Sequence, residues 1–186
     1  MKLSLLTTFL IFLILLTNSI TFANPKATIT DELINKICSQ TKNPSFCLNN
    51  LKPLNGKRLP NSIAALRASS VNKALSHGNS TAALIWARYH AITELRNESK
   101  LRLMYYKCFV KYNDVMKHLK EAKRFTASGI EKSIKNHIFV VVDRVSLCND
   151  ELVKGPKDEV KPILEANEKL KDFCSIIEAI CDKVKY

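Results

Sequence analysis

The sequence predicts an all-α protein, in which an up-down-up-down four-helix bundle follows a disulfide-closed N-terminal helical hairpin. Glycine and proline are scarce, with 4 and 6 among 186 residues, so long segments are free of helix breakers. Apolar residues recur every three or four positions over most of the chain, which is typical of helices that bury one face. Two pairs among the six cysteines are placed to close the hairpin and to join two bundle helices.

The first residues have the composition of a secretory signal peptide. Lys2 provides a positive charge, Leu3 to Leu16 is almost entirely apolar, and Thr21-Phe22-Ala23 offers small residues before a cleavage site. The apolar stretch has roughly 14 residues, whereas a membrane span needs about 20. We therefore expect residues 1–23 to be a signal peptide rather than an uncleaved anchor, and residues 24–186 to form one secreted domain.

Residues 24–56 are expected to contain the hairpin. Between Thr30 and Asn55, the sequence predicts two short helices around a turn at Lys42-Asn43-Pro44. This segment is too short to bury a core of its own. A disulfide between Cys38 and Cys47 would close the hairpin and stabilise it by about 2–3 kcal/mol.

Residues 57–186 contain four apolar seams, each long enough for one bundle helix. The seams are formed by Ala64, Ala68, Val71, Leu75, Gly78, Ala82, Ile85, Tyr89 and Ile92; by Leu101, Tyr105, Cys108, Tyr112, Val115, Leu119 and Ala122; by Ile134, Ile138, Val141, Val145, Cys148 and Leu152; and by Val160, Ile163, Asn167, Leu170, Cys174, Ile177, Cys181 and Val184. Short breaks at Asn97–Lys100, Thr126–Gly129 and Gly155–Pro156 predict antiparallel neighbours. Phe139–Val142 alone would suit a strand, but it lies within the third seam and is expected to be helical.

The seams also predict the bonding state of the other four cysteines. Cys108 and Cys148 lie on the buried faces of adjacent antiparallel helices, so we expect a disulfide that joins the second bundle helix to the third. Cys174 and Cys181 lie two turns apart on one helix, about 10.5 Å, which is too far for a bond between them. They are expected to be buried free thiols; the alternative is that one of them forms an intermolecular disulfide.

The chain carries a formal net charge of +12, of which Lys2 in the signal peptide supplies one unit. Such an excess favours either a solvated surface or attraction to an acidic partner, which outside the cell means an acidic polysaccharide or an anionic membrane. The sequence has no nucleic-acid-binding motif, and the signal peptide argues against nucleic acid as a partner. Sequons mark Asn79 and Asn97 as candidate glycosylation sites, which is consistent with secretion.

The sequence does not predict an enzyme. It contains no Gly-x-Ser-x-Gly, no His-Glu-x-x-His and no phosphate-binding glycine loop, and no cysteine spacing typical of zinc. The histidines, His77, His90, His118 and His137, are scattered, and we interpret them as surface or groove residues. Trp86 is a lone aromatic residue near the first seam, where packing is a better interpretation than sugar stacking. We expect no cofactor.

At this point the residues match a known family. Over essentially the whole length of residues 24–186, the chain resembles the plant invertase and pectin methylesterase inhibitor family. Cys38, Cys47, Cys108 and Cys148 occupy the positions of the family's four cysteines. The resemblance implies the same hairpin and bundle, with the second and third bundle helices joined by a disulfide.

The resemblance also favours one branch of the family. Invertase inhibitors often carry Pro-Lys-Phe before the third bundle helix, whereas this chain has Gly129–Ser133 there without that element. The phrases around Cys38–Cys47 and Leu170–Cys174 are similar to those of pectin methylesterase inhibitors. The chain departs from the family at Leu147, where threonine is common, and in the additional Cys181.

The resemblance therefore implies a secreted, apoplastic protein that does no chemistry. It would cover the substrate cleft of a pectin methylesterase in a one-to-one complex, with a possible further electrostatic contact to acidic pectin. The alternatives are inhibition of cell-wall or vacuolar invertase, and a non-inhibitory basic protein that binds pectin or anionic membrane. Candidate contacts with the enzyme are outward residues of the second to fourth bundle helices: Lys107, Lys111, Asn113, Asn136, Asp143, Arg144 and Asn149.

Overall fold

The computed structural model describes residues 29–52, 60–92 and 99–183, and these form six helices with no strand among them. The helices are α1 (Asp31–Cys38), α2 (Pro44–Leu51), α3 (Ile63–Ala91), α4 (Ser99–Ser128), α5 (Glu131–Leu152) and α6 (Lys157–Lys183). The all-α prediction is confirmed. The predicted signal peptide, Asn97 and Val184 lie outside the described residues. Within them, no helix combines the length and the apolar character that a membrane span requires.

Helices α1 and α2 form the predicted N-terminal hairpin. The Thr30 side chain accepts a hydrogen bond from the Leu33 backbone N–H at 3.2 Å, which caps α1. Asn43 caps α2 by accepting from the Phe46 N–H at 3.1 Å, and Pro44 occupies the first turn, where it costs no hydrogen bond. A disulfide joins Cys38, at the end of α1, to Cys47 in the first half of α2.

The hairpin packs against the last helix rather than standing apart from the bundle. The Lys42 N–H donates to Ser175 Oγ at 3.1 Å, and the Asn43 side chain donates to Asp172 at 2.9 Å. The Phe46 ring meets the Phe173 ring edge-on, with 5.0 Å between centroids. These contacts place the hairpin along the C-terminal half of α6.

Helices α3 to α6 form the four-helix bundle. Helix α4 packs against α3 and α5, and α6 packs against the same two helices on the other side. All predicted residues of the second and third seams are buried, and so are those of the fourth seam that the structure describes. Each of these three helices therefore buries the apolar face that its seam predicts, and this burial holds the helices side by side in the bundle.

The first seam is partly wrong. Ala64 is exposed, whereas Leu66, Ser70, Ala74 and Thr81 are buried. Alanine, serine and threonine occupy almost every face of α3, so apolar spacing alone does not define which side is buried. Several buried positions of α3 hold small residues, and at Gly78 the neighbouring helix lies close, with 3.0 Å between an ideal Cβ on Gly78 and a Leu119 methyl.

The turn between α4 and α5 is shorter than predicted. Thr126, Ala127 and Ser128 belong to α4, and the hydroxyls of Thr126 and Ser128 donate to backbone carbonyls three residues earlier. Gly129 alone adopts the left-handed conformation, with φ of 68°, which suits the residue after a helix end. Similarly, α4 begins at Ser99, so the first predicted break, Asn97–Lys100, extends too far. The third predicted break, at Gly155-Pro156, is confirmed, and so is the prediction that Phe139–Val142 is helical.

The second disulfide joins α4 to α5 at Cys108 and Cys148, both fully buried. Cys174 and Cys181 are free and buried in α6. Burial raises the pKa of the Cys181 thiol to about 11 and that of Cys174 further still. Both thiols are therefore protonated and inaccessible, which speaks against an intermolecular disulfide.

A buried polar network crosses the bundle centre at Asn167 of α6. The Tyr112 hydroxyl of α4 donates to Asn167 Oδ1 at 2.5 Å, and the Asn167 amide donates to Asn149 Oδ1 of α5 at 2.5 Å. The same amide lies 3.4 Å from Cys148 Sγ. Because Tyr112 and Asn167 are fully buried, these hydrogen bonds fix the relative register of three helices. Burial also raises the pKa of Tyr112, so the hydroxyl remains a donor.

Candidate functional site

The candidate partner contacts lie on more than one face of the bundle. Lys107 and Lys111 lie on the side of α4 that faces α5, and Lys107 Nζ is 3.5 Å from Glu151 of α5. Asn136 and Asp143 are exposed on the outward side of α5. The four residues therefore lie along the α4 and α5 surfaces but at different levels, since Asn136 is 15 residues from Glu151 along α5, roughly 22 Å.

Two of the candidates form contacts within the bundle that the sequence did not indicate. Arg144 is half-buried and forms ion pairs with Asp143 at 2.8 Å and with Asp114 of α4 at 3.3 Å. Asn149 turns inward, because its side chain accepts from Asn167 and donates to Glu168 at 3.1 Å. Both residues are thus occupied by contacts within the bundle.

Asn113 is exposed but belongs to another face. It follows Phe109 by four residues and Tyr106 by seven, so it shares their stripe of α4, which faces α3. The sequence prediction grouped it with Lys107 and Lys111 because it did not separate the two sides of α4.

Phe139 is a surface residue that sequence reasoning did not select. Its side chain is 70% exposed, more than any other large exposed hydrophobic residue that the structure describes. It lies three residues after Asn136 and four before Asp143, on the same outward stripe of α5. The sequence signal was present, since Phe139 is out of phase with Ile134, Ile138 and Val141 in the third seam.

Two of the histidines, far apart in sequence, form a pair between α4 and α5, which the sequence did not indicate. His118 of α4 and His137 of α5 are 2.8 Å apart between their Nδ1 atoms, and the His137 ring stacks on Phe125 at 5.5 Å. Burial lowers the pKa of His118, and the positive charges of His137 and Lys117 lower it further, against the opposing effect of Asp114. Protonation of His118 is therefore disfavoured in the folded protein.

This pair predicts a pH dependence of stability. Because the folded-state pKa of His118 lies below its unfolded value of about 6.5, the unfolded chain binds the proton more readily. The contribution to stability is present above pH 6.5 and is lost as the pH falls through the folded pKa. Urea unfolding at pH 7.5 and pH 5.0 should therefore show a larger loss for the wild type than for His118→Gln. Parallel losses in the two proteins would contradict the assignment.

Trp86 is not a lone aromatic residue, which corrects the sequence interpretation. Its ring lies 4.6 Å from that of Phe109 in α4 and 5.7 Å from that of Tyr89 in α3, measured between centroids. Tyr89 in turn lies 5.8 Å from Tyr106 of α4. The rings of Trp86, Tyr89, Tyr106 and Phe109, here called the aromatic surface, line the groove between α3 and α4, with Arg102 beside Tyr89 and the His90 ring 4.0 Å from that of Trp86. Trp86 and Tyr106 are 44% and 48% exposed.

The described residues contain no group of three or more histidine, cysteine, aspartate or glutamate side chains that could hold a metal ion. Asn79 is exposed on α3, although the hydroxyl of its sequon partner Thr81 is buried and donates to His77 O at 3.0 Å. Glycosylation at Asn79 and Asn97 stays a prediction.

Solved structures similar to this fold include two from Arabidopsis, both described as pectin methylesterase inhibitors. One is a mutant form with a TM-score of 0.66, 22% identity and coverage of 80% of this chain and 95% of that chain. The other has a TM-score of 0.61, 20% identity and coverage of 85% and 99%. At these identities the likeness shows the fold, which confirms the predicted bundle preceded by a hairpin.

Sequence comparison gives the family. The chain is 28% identical over 156 residues to a pectinesterase inhibitor of Actinidia deliciosa, covering 84% of this chain and 81% of that protein. It is 25% identical over 148 residues to pectinesterase inhibitor 1 of Arabidopsis thaliana, covering 80% of each. The profile of the family described as "Plant invertase/pectin methylesterase inhibitor" matches residues 32–180. The protein therefore belongs to the plant invertase/pectin methylesterase inhibitor family, a family of inhibitors rather than of enzymes.

Proposed function

We propose that this protein is an extracellular inhibitor that binds a pectin methylesterase in a one-to-one complex and covers its substrate cleft. Two relatives that match four-fifths of the chain are named pectinesterase inhibitors, which favours this enzyme over invertase. The family includes inhibitors of both enzymes, and the absence of Pro-Lys-Phe at Gly129–Ser133 supports the same choice. The predicted signal peptide supports secretion to the cell wall.

The docking face is proposed to be the surface of α4 and α5 around Phe139. The observation that carries this proposal is the exposure of the Phe139 side chain. A phenylalanine with 70% of its surface in water gains nothing from the bundle core, and a partner that covered it would gain apolar burial. Polar Asn136 and Asp143 flank it on the same stripe. An apolar centre with a polar rim is the usual composition of a protein–protein interface.

The scaffold beneath this face is suited to docking without rearrangement. Helices α4 and α5 are joined by the Cys108–Cys148 disulfide and pack along most of their length. Between them, Arg144 bridges Asp114 and Asp143, which restrains the long arginine side chain before any partner arrives. A surface that is already ordered loses less entropy on binding.

Replacing Phe139 by alanine tests the docking face. We expect Phe139→Ala to raise the inhibition constant for a pectin methylesterase about thirtyfold, as for an interface hot spot worth about 2 kcal/mol. Thermal stability should be unchanged because the side chain is exposed. Val153→Ala is the control, since Val153 is 66% exposed but lies just beyond the end of α5. Methanol release from esterified pectin measures the inhibition.

A combined alanine variant at Lys107, Lys111, Asn136 and Asp143 completes the test. If Phe139→Ala and this variant both inhibit as the wild type does, the α4–α5 surface is not the docking face. If the wild type fails against several pectin methylesterases and instead inhibits invertase in a sucrose-hydrolysis assay, the enzyme named in the proposal is wrong.

A further inference from the structure

We propose that the aromatic surface between α3 and α4 is a second binding site, and that its ligand is an acidic polysaccharide chain. The site is defined by Trp86, Tyr89, Tyr106 and Phe109, with Arg102 at its edge. It lies on the side of α4 opposite the one that faces α5, and it is therefore separate from the proposed enzyme-docking face.

The rings form a continuous, partly exposed row across two helices. Successive centroids are 4.6 to 5.8 Å apart from Phe109 through Trp86 and Tyr89 to Tyr106, and the planes are tilted by 32° to 42°. Trp86 and Tyr106 each keep almost half of their surface in solvent. Sugar rings present flat C–H faces that pack on aromatic faces, while Tyr89 and Tyr106 add hydroxyl groups that can hydrogen-bond.

Arg102 supplies a cation positioned for a carboxylate. Its guanidinium lies 5.1 Å above the Tyr89 ring centroid, and its Nη2 donates to the Tyr89 hydroxyl at 3.2 Å. In the part of the chain that the structure describes, no carboxylate forms an ion pair with Arg102. An open cleft of 290 Å³ lies between Arg102, Tyr89, Tyr106 and Leu103. A uronic acid could thus stack on a tyrosine and present its carboxylate to the fork-shaped guanidinium donors.

The charge of the two helices determines which ligand fits. Helix α3 contains no aspartate or glutamate, and the two acidic residues of α4, Asp114 and Glu121, are paired with Arg144 and Arg124. This surface therefore attracts a polyanion. A second copy of the chain is a poor occupant, because each copy carries a net charge of +12, or +11 without Lys2 of the signal peptide, and would oppose the same cationic groove.

The chain provides its own probe of the site, because Trp86 is its only tryptophan. Adding de-esterified polygalacturonate to the oxidised protein at low salt should produce a saturable change in tryptophan fluorescence. A neutral galactan of similar length should produce none. Raising the salt concentration should weaken the interaction without abolishing the difference between the polymers.

Variants separate a specific site from general attraction. Arg102→Gln and Tyr106→Ala should each raise the dissociation constant for polygalacturonate about tenfold, the effect expected for a lost charged hydrogen bond or stacking contact. Arg124→Gln is the matched control. Arg124 lies near the other end of α4 and also covers an aromatic ring, Phe125, at 4.9 Å. It should change the dissociation constant less than about twofold, as expected for one exposed charge.

Several results would overturn the proposal. Equal losses in Arg102→Gln and Arg124→Gln would show attraction by net charge alone, and an unchanged Trp86 fluorescence would place binding elsewhere. Equal binding of neutral galactan would exclude an acidic ligand. The Arg102→Gln and Tyr106→Ala variants should both still inhibit pectin methylesterase. If they lose inhibition, and the wild type does not bind polygalacturonate, then the groove is a protein-docking face. A dimer dissociated by Tyr106→Ala in sedimentation would instead identify a second copy as the occupant.

Discussion

Replacing Cys108 and Cys148 together by alanine is expected to lower the free energy of unfolding by about 3–4 kcal/mol. The disulfide closes a loop with a sequence separation of 40, so its loss frees a long segment of the unfolded chain. Both sulfur atoms are also fully buried, and alanine leaves part of their volume empty. Urea denaturation of the oxidised wild type and of the double variant measures the difference.

The hairpin disulfide provides the matched comparison. Cys38→Ala with Cys47→Ala opens a loop with a sequence separation of only 9, and a loss of about 2–3 kcal/mol is expected. Inhibition should distinguish the two variants more clearly than stability. The α4–α5 variant should inhibit less strongly even where it is fully folded, because its docking face is less ordered before binding. If the free energy of unfolding of the α4–α5 variant fell by less than about 1 kcal/mol, helix packing alone would hold α4 and α5 together, and the disulfide would add little.

Replacing Asn167 by leucine is expected to cost about 2–4 kcal/mol, although leucine has a similar volume and the position is fully buried. The substitution leaves the Tyr112 hydroxyl without its acceptor in the bundle centre and removes the donor to Asn149. Thermal and urea unfolding measure the loss, and near-ultraviolet circular dichroism reports whether Tyr112 remains ordered.

A double-mutant cycle tests whether these groups act as one network. Tyr112→Phe alone should cost about 1 kcal/mol, because it leaves Asn167 Oδ1 unpaired. In the Asn167→Leu background the same substitution should be neutral or stabilising, since it removes a hydroxyl that no longer has that acceptor. Strictly additive losses would show that Tyr112 and Asn167 contribute independently.

The extent to which sequence patterns succeed differs between the helices. Helices α4 and α5 have apolar faces separated clearly from charged ones, and apart from Met104 their buried residues were predicted. In α6 the predicted seam is buried, but the half that the hairpin covers also buries residues outside it: Phe173, Ser175, Ile176, Ala179 and Ile180. Helix α3 lacks that contrast, and its buried face includes Arg67, which is 3% exposed because it pairs with Glu131 of α5 at 2.7 Å. An ion pair between residues 64 positions apart leaves no periodic signal.

Among the candidate site residues, the sequence also placed some correctly and others not. The sequence was sufficient for Cys38, Cys47, Cys108 and Cys148, because their spacing and seam positions limit the possible pairings, and these residues carried the family resemblance. It was not sufficient for Asn149, which the pattern placed outward and the network draws inward. A half-buried polar residue can satisfy its hydrogen bonds in water or in protein, and only a neighbouring helix decides between them.

The sequence by itself determined the helical class, the hairpin and bundle, both disulfides and membership in the inhibitor family, since all of these depend on local periodicity and on a few spaced cysteines. Only the tertiary structure decided that His118 of α4 meets His137 of α5, and that Trp86 of α3 meets Phe109 of α4. Each of these depends on the rotation of one helix against another. That rotation follows from packing over the whole bundle, and no single segment of sequence contains it.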